Sequence, residues 1–190
     1  MIYTVLVVIV RVIARIIYRF NVTGLENIPN TGACILCSNH IHAFDPVMIA
    51  ILLNRKPSFM AKKEIFSSPL ASWFYGELGA FPVDREKADM KAYRKSMQIL
   101  EEGEMLLMFA QGTRMAGFEN AKGGVAMFAL KSGAPIIPVG INGTFRLFSK
   151  LKIEIGEPIL MDKYEGQKVK SELIEEVMNV VSGRITELCK

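Results

Sequence analysis

Cysteine and histidine, the residues that most often form disulfides or hold metals, are scarce in this sequence. Its 190 residues include three cysteines, too few for a disulfide framework in a chain of this size. Cys34 and Cys37 have C-x2-C spacing, but they lie in an apolar run and no second cysteine pair follows. We therefore expect both to be buried as small apolar residues, Cys189 to be a thiol at a frayed end, and the compartment to be reducing and cytoplasmic.

The only two histidines, His40 and His42, stand in one short loop. Together with Asp45 they form an H-x-H-x2-D pattern that superficially resembles a cluster of metal ligands. No further cysteine, histidine or carboxylate group clearly completes such a site. A metallohydrolase is therefore a weak alternative, and His42 is predicted to be an ordinary loop residue that does not act as a base.

Signals for nucleic-acid binding, internal repeats, low-complexity segments and interdomain linkers are also missing. The length suits one domain with a substantial core. A net charge of +4, from 23 basic and 19 acidic residues, is compatible with an anionic membrane surface or substrate and does not require nucleic acid. The mean hydropathy of +0.27 is apolar for a soluble protein, and the excess comes from aliphatic residues and 11 methionines.

The first 20 residues are apolar, but they do not form a clean membrane span. Ten uncharged residues precede Arg11, and Arg15 and Arg19 follow at intervals of four, which places the three cations on one helix face. A span needs about 20 predominantly apolar residues, and a secretory signal needs a basic start and a cleavage pattern of small residues. We predict a helix in the membrane interface with its arginines toward anionic headgroups. An ordinary buried helix is the alternative.

The most informative stretch, residues 38–46, joins a predicted buried strand to a predicted helix. Asp45-Pro46 is a typical helix start, with Asp as the N-cap and Pro in the first turn. A loop of this length can bring the His40 imidazole against the Asp45 carboxylate, which would fix the ring tautomer and suit a general base. A capping Asp beside an unrelated loop histidine explains the same spacing equally well.

Four short blocks occur in order along the chain. They are Asn39-His40-x4-Asp45, residues 79–85 (GAFPVDR), residues 109–114 (FAQGTR) and residues 134–139 (APIIPV). They resemble the N-H-x4-D, G-x-x-F-x-x-R, F-P-E-G-T-R and apolar proline-containing blocks of the glycerolipid acyltransferases, the 1-acylglycerol-3-phosphate acyltransferase family. Residues 23–29 (TGLENIP) also resemble the lead-in usual before the first block. Because the blocks keep the order and spacing of the family, they carry far more weight than one block alone.

The resemblance implies a role for each matching residue. His40 would abstract the sn-2 hydroxyl proton of lysophosphatidic acid, Asp45 would orient His40, and backbone amides near the helix start would steady the oxyanion. The substrate oxygen would attack the thioester of acyl-CoA or an acylated carrier protein within a ternary complex, and no bound cofactor is expected. The substrate-binding residues are expected to be Asn39, Lys62, Arg85, Gln111, Gly112, Thr113, Arg114 and Lys122.

The two arginines of that set, Arg85 and Arg114, would hold the phosphate, and Lys122 would add a cation near it. For Lys62, a solvated charge cluster is an equally good explanation. Gln111 stands where the family has Glu, which removes a charge while keeping size and some hydrogen-bonding ability. A catalytically weakened membrane- or lipid-binding module is therefore a further alternative.

The partners implied by the resemblance are a lysophospholipid, an acyl-thioester donor (acyl-CoA or acyl carrier protein) and the membrane surface, but no nucleic acid. The expected location is the cytoplasmic face of the cell membrane, with a peripheral or monotopic attachment. A membrane-associating helix at residues 1–20 would precede an acyltransferase domain at residues 21–190.

The expected fold is α/β, a single domain with a mostly parallel central sheet flanked by helices. Buried strands are predicted at 33–37, 105–110 and 135–141, and further strands at 58–61 and 81–85. Helices are predicted at 47–53, 65–78, 87–102, 125–131 and 167–188. The apolar run 105–110 is typical of a central parallel strand, and it delivers residues 111–114 to the carboxyl end, where ligands gather in open α/β sheets. Apolar and polar residues alternate over 151–156, which predicts a half-exposed edge strand.

Overall fold

A seven-stranded sheet forms the centre of the molecule. The computed structural model describes residues 2–84, 89–110 and 123–190. The strands are β1 (Arg19–Thr23), β2 (Cys34–Ser38), β3 (Ser58–Lys62), β4 (Ala80–Val83), β5 (Met105–Phe109), β6 (Ile136–Gly143) and β7 (Lys150–Ile155). The helices are α1 (Ile2–Ile17), α2 (Asp45–Ala50), α3 (Pro69–Glu77), α4 (Met90–Glu101), α5 (Gly124–Ser132) and α6 (Ser171–Leu188).

The strands follow the order β1-β7-β6-β2-β5-β3-β4 across the sheet. β2 pairs in parallel with β5 and β6, and β3 pairs in parallel with β4 and β5. β7 is antiparallel to β6, and β1 runs parallel to β7. The single α/β domain with a mostly parallel sheet is therefore confirmed. The carboxyl ends of the five parallel strands share one edge with the amino ends of β1 and β7, and we call it the carboxyl edge.

Helices pack against both faces of the sheet, and the side chains of β2 alternate between two core layers. Ile35 and Cys37 face the layer formed by α4, α5 and α6, while Cys34 and Leu36 face α1 and α2. Every residue of β2 is buried, which explains its continuous apolar run. Burial raises the pKa of the Cys34 thiol to about 11 and that of Cys37 to about 12. Both cysteines are therefore buried as predicted and stay protonated at neutral pH.

The strand predicted at the edge of the sheet is an inner strand. β7 lies between β6 and β1, and the edges are formed by β1 and β4. Leu151, Ile153 and Ile155 are buried while the residues between them are partly exposed. The alternation thus reports that one face of β7 is less covered than the other, and it carries no information about neighbours in the sheet. The strand that covers the outer side of β7 is β1, which is absent from the predicted strands.

α1 packs one side against the sheet, where Ala14 is buried. Arg11, predicted to reach toward headgroups, instead donates from Nε to the Ile51 carbonyl oxygen at 2.6 Å and from Nη2 to that of Leu53 at 3.4 Å. It thereby satisfies carbonyls at the end of α2, where a cation is favourable. The prediction for Arg11 is wrong because the spacing of the arginines shows that they are neighbours but not which side of the helix is covered. Within the described ranges, no helix has both the length and the apolar character needed to cross a bilayer.

The carboxyl terminus is held against the domain. The Sγ atom of Cys189 lies 3.9 Å from the Ile141 carbonyl oxygen, and the Cys189 carbonyl accepts a 2.8 Å hydrogen bond from Asn142 Nδ2. The prediction of a frayed-end thiol is therefore wrong, because α6 continues to Leu188 and brings the last residues onto β6.

Candidate active site

The loop that leaves β2 places His40 at the carboxyl edge. Nδ1 of His40 lies 2.7 Å from Oδ2 of Asp45, and the His40 side chain is nearly buried while Asp45 is fully buried. The contact that the spacing predicts is therefore present. When Asp45 is ionised, Nδ1 carries the ring proton and Nε2 is the nitrogen with base character. The arrangement has the chemistry of a general base with an orienting carboxylate.

The Asp45 carboxylate is turned into the loop. Its Oδ2 also accepts the backbone N–H groups of Ile41 at 2.7 Å and His42 at 2.8 Å. The N-cap of α2 is Phe44, so the capping role predicted for Asp45 is wrong: three donors in the loop converge on one oxygen and draw the carboxylate toward them. The same bonds occupy the Ile41 and His42 amides, and the oxyanion role that the resemblance implies for amides near the helix start stays a prediction.

Asn39 fastens the loop to the sheet. Its Nδ2 donates to the Ile141 carbonyl oxygen at 2.8 Å, and its Oδ1 accepts the Ile141 N–H at 2.8 Å. The side chain therefore continues the β2–β6 pairing one step past the end of β2. Asn39 is also buried, so the geometry supports a positioning role, and the substrate-binding role expected for it stays a prediction.

Replacing Asn39 with alanine is expected to lower the free energy of unfolding by about 2–4 kcal/mol, because a buried donor and a buried acceptor on Ile141 lose their partners. Urea denaturation measures the change. Asn142→Ala is the matched control on the same strand, because it removes one exposed hydrogen bond and is expected to cost about 1 kcal/mol or less. Equal losses in the two variants would contradict the positioning role.

Two aromatic rings that the sequence reading does not single out contact the two histidines. Phe109, the last residue of β5, stacks on His40 with ring centroids 4.1 Å apart and planes at 23°. Phe145, just beyond β6, stacks on His42 at 4.2 Å and 16°. Phe109 belongs to the third sequence block, so the motif gives a signal for it. Phe145 has no local signal, because only the pairing of β6 with β2 brings it beside the loop.

Of the remaining predicted binding residues, the structure describes Lys62. Lys62 ends β3, two strands from β2 across β5, and its exposed ammonium lies 3.7 Å from Oε1 of Glu64. It therefore stands on the carboxyl edge, in a solvated ion pair. The other six predicted residues lie outside the described residues, and their roles stay predictions: Arg85, Gln111, Gly112, Thr113, Arg114 and Lys122.

The metal-site alternative gains no support from the part of the chain that the structure describes. There, no group of three or more His, Cys, Asp or Glu side chains is placed to hold a metal ion. The His42 imidazole is stacked on Phe145, and its Nδ1 accepts the Phe44 N–H at 3.3 Å. His42 is thus held in the loop by the stacking of its ring on Phe145 and by the hydrogen bond from its backbone amide to Asp45.

Comparison with known proteins adds independent information on the family. The sequence model of the family described as Acyltransferase matches residues 19–142. A 1-acyl-sn-glycerol-3-phosphate acyltransferase of Streptococcus pneumoniae is 32% identical over 171 residues, which cover 86% of this chain and 63% of that protein. Another from Bacillus subtilis is 31% identical over 140 residues, 70% of either chain.

The fold is shared with a solved structure, the 1-acyl-sn-glycerophosphate (LPA) acyltransferase of Thermotoga maritima. The TM-score is 0.72 at 24% identity, and the match covers 98% of this chain and 80% of that chain. The chain spans slightly less than two thirds of the Streptococcus protein, at 63%, and 70% of the Bacillus protein. With a family match over most of its length and an identity of 31% to a relative that it largely covers, the chain belongs to the acyltransferase family that includes the 1-acyl-sn-glycerol-3-phosphate acyltransferases.

Proposed function

We propose that the protein transfers an acyl group from an acyl thioester to the sn-2 hydroxyl of lysophosphatidic acid, giving phosphatidic acid for phospholipid biosynthesis. The observation that carries the proposal is the buried 2.7 Å contact between His40 Nδ1 and Asp45 Oδ2 at the carboxyl edge of a parallel sheet. The family and the names of the relatives supply the substrate class. The donor is acyl-CoA or an acylated carrier protein.

The proton moves through His40. Nε2 takes the proton of the sn-2 hydroxyl as its oxygen forms a bond to the thioester carbonyl carbon, which gives a tetrahedral oxyanion. When this intermediate collapses, the carbon–sulfur bond breaks, and the imidazolium returns the proton to the leaving thiolate. One ester and one free thiol are formed, no acyl-enzyme occurs, and no bound cofactor is required.

Asp45 stabilises the charged form of His40 during the transfer. Its carboxylate faces Nδ1, so the positive charge on the ring develops beside a fixed negative charge in a buried site. Because the Ile41 and His42 amides also donate to Oδ2, the carboxylate stays in place while the ring changes charge. Little reorganisation is needed at the moment of reaction.

The phosphate of the acceptor is assigned to the residues implied by the family blocks. Arg85 and Arg114 hold it as bidentate donors, and Lys122 and Lys62 add positive charge. Gly112 permits close backbone approach, and Thr113 supplies a hydroxyl. Gln111 hydrogen-bonds where the family has a carboxylate, so an increase in kcat for Gln111→Glu would identify the missing charge as a limit on the rate.

Membrane attachment at the cytoplasmic face is assigned to α1. Its outward side carries a stripe of exposed aliphatic residues: Val5, Val8, Ile9, Val12, Ile13 and Ile16. An amphipathic helix with such a stripe lies in the interface with its apolar side toward the acyl chains. This attachment would bring the site to a substrate and a product that reside in the bilayer.

Changing two residues of this stripe, Ile9→Ser with Ile16→Ser, is expected to weaken binding to lipid vesicles about tenfold, because less apolar area is removed from water. The side chains are 50% and 68% exposed, so the urea denaturation midpoint should change little. Sedimentation with vesicles measures the binding. Unchanged binding at unchanged stability would remove α1 from the attachment.

A panel of donors and acceptors tests the function itself. Purified protein is incubated with lysophosphatidate or another lysophospholipid and with acyl-CoA or acylated carrier protein, and free thiol is followed over time. We expect thiol release with lysophosphatidate and at least one donor. No release with any donor, at intact vesicle binding, would favour the lipid-binding module instead.

A further inference from the structure

The connection between β6 and β7, residues 144–149, lies at the same edge of the sheet as His40. β6 runs parallel to β2 and ends at Gly143, and the chain re-enters the sheet at Lys150 beside Arg19. The sequence of the connection is TFRLFS, in which Leu147 and Phe148 stand side by side between polar residues. We infer that this 144–149 loop is a lipid-contact element, which inserts Leu147 and Phe148 into the interface of an anionic bilayer.

The tip of the 144–149 loop exposes two large apolar side chains. Leu147 is 72% exposed and Phe148 is 64% exposed, the former among the most exposed large apolar residues that the structure describes. Phe148 also has a φ of 62°, the only positive φ of a residue other than glycine in the described ranges. A bulky residue in this region is strained by about 1–3 kcal/mol. The ring is largely exposed in the described part of the protein, so its apolar surface is available to a partner outside the chain.

The loop holds this conformation through its backbone. The Phe148 N–H donates to the Ile17 carbonyl oxygen at 2.7 Å, and the Ser149 N–H donates to that of Arg146 at 3.1 Å. The Ser149 hydroxyl also donates to the Thr144 carbonyl oxygen. The two apolar side chains are therefore presented from a hydrogen-bonded turn that is tied to the end of α1.

Four cations lie near the tip along the chain or across its contacts: Arg146 and Lys150 flank it, Arg19 pairs with Lys150 in the sheet, and Arg15 stands two residues before the tip's partner Ile17. Arg15, Arg19, Arg146 and Lys150 are exposed, and none forms an ion pair within the ranges that the structure describes. The sequence has no acidic residue at 1–25 or at 140–153. An apolar tip with basic side chains near it is complementary to an anionic bilayer, because the apolar side chains can enter the interface while the cations contact the headgroups. Each cation near the surface adds about 1 kcal/mol to binding.

The 144–149 loop also extends the apolar stripe of α1. The Phe148 amide is bonded to the last residue of that helix, and Ile16 beside it is 68% exposed. The two apolar surfaces thus meet at the carboxyl edge, so that one bilayer can contact both. Contact through the stripe alone would leave the distance between the catalytic loop and the membrane undetermined. A second contact at this edge determines that distance.

The 144–149 loop is connected to the catalytic loop by its second residue. Phe145 stacks on His42, and its other neighbour is Tyr18, whose ring packs edge-on at 5.8 Å. The His42 amide in turn bonds Asp45. Lipid contact at the tip therefore sets the position of the catalytic loop relative to the headgroups. This purpose rests on the proposed function, whereas the lipid contact itself does not.

The test measures binding of the full chain to vesicles of phosphatidylcholine, with and without phosphatidylglycerol. The variant Leu147→Ser with Phe148→Asn removes the apolar tip, and asparagine tolerates a positive φ, so the fold is kept. We expect about a tenfold loss of vesicle affinity. Arg146→Gln with Lys150→Gln should lower the affinity for the anionic vesicles alone, about fivefold for each cation.

Leu160→Ser is the matched control. Leu160 is 57% exposed and follows Ile159, which bridges to the first residue of β6 at the opposite edge of the sheet. We expect wild-type binding from this control. Wild-type binding by the tip variant, or an equal loss in Leu160→Ser, would overturn the inference. So would a dimer in sedimentation, or a soluble complex with acyl carrier protein, that the tip variant abolishes without changing vesicle binding.

Activity separates this inference from the proposed function. With short-chain lysophosphatidate below its micelle concentration, the tip variant should transfer acyl groups at the wild-type rate, and with vesicle-bound acceptor it should be slower. If wild-type protein releases no thiol in either assay, the proposed function fails while the vesicle measurement still decides the lipid contact.

Discussion

His40→Ala is expected to lower kcat for acyl transfer about a thousandfold, the contribution of a general base in a positioned site. The KM for lysophosphatidate should change much less, because the phosphate is assigned to other residues. The loss follows from the buried contact to Asp45, which places the ring proton on Nδ1 and gives Nε2 the base character. Thiol release under saturating donor measures the effect.

His42→Phe is the control for this variant, because it removes the only other imidazole and keeps an aromatic ring to stack on Phe145. The backbone amide that bonds Asp45 is unaffected by the change. We expect at most about a tenfold loss of kcat, since no step of the reaction uses the His42 ring. A loss as large as that of His40→Ala would mean that the base has been assigned to the wrong histidine.

The second large effect is expected for Asp45→Ala, in both rate and stability. The change leaves His40 Nδ1 and the Ile41 and His42 amides without their shared acceptor. We expect the free energy of unfolding to fall by about 2–4 kcal/mol and kcat to fall by about a thousandfold or more. Urea denaturation and thiol release measure the two losses separately.

Asp45→Asn separates the charge of this residue from its shape. Because three donors meet at the Oδ2 position, the asparagine should turn its carbonyl oxygen there and keep the His40 tautomer. The loop then stays formed, but the imidazolium loses the negative charge beside it. A loss of kcat of about ten- to a hundredfold is expected, with a smaller loss of stability than in the alanine variant. Wild-type kcat in Asp45→Asn would show that the charge plays no part.

The strands that can be predicted from local pattern are those covered by helices on both faces of the sheet. β2 and β5 are covered on both faces, so an unbroken apolar run is enough to predict them as central strands. β7 has the opposite character, since its alternation describes its faces and leaves its neighbours in the sheet undetermined. β1 is short and partly exposed, and its residues 19–23 alternate polar and apolar side chains. The prediction misses this strand because the alternation follows without a break on the helix expected at residues 1–20.

At the site, the sequence predicts which residues matter better than it predicts how they are used. The block around His40 identifies Asn39 and Asp45, but the roles of both depend on donors and acceptors elsewhere. Asn39 is bonded to β6, about a hundred residues later in the chain, and Asp45 to the loop before it. Phe145 is similarly remote, and only the neighbouring positions of β2 and β6 bring it to His42. The contacts of Asn39 and Phe145 are properties of the strand order, which no local spacing encodes.

The most direct test of the central claim, that His40 activates a lipid hydroxyl while Asp45 holds its ring, is to follow a labelled acyl group by mass spectrometry. Wild-type protein and His40→Ala are each incubated with an acyl thioester and lysophosphatidate. The masses of the lipid products and of the intact protein are then measured. We predict that the wild-type protein forms one phosphatidic acid for each thiol released, that the protein itself never carries the label, and that His40→Ala forms almost no product. Phosphatidic acid formed by His40→Ala at the wild-type rate, or an acylated protein that precedes the product, would contradict it.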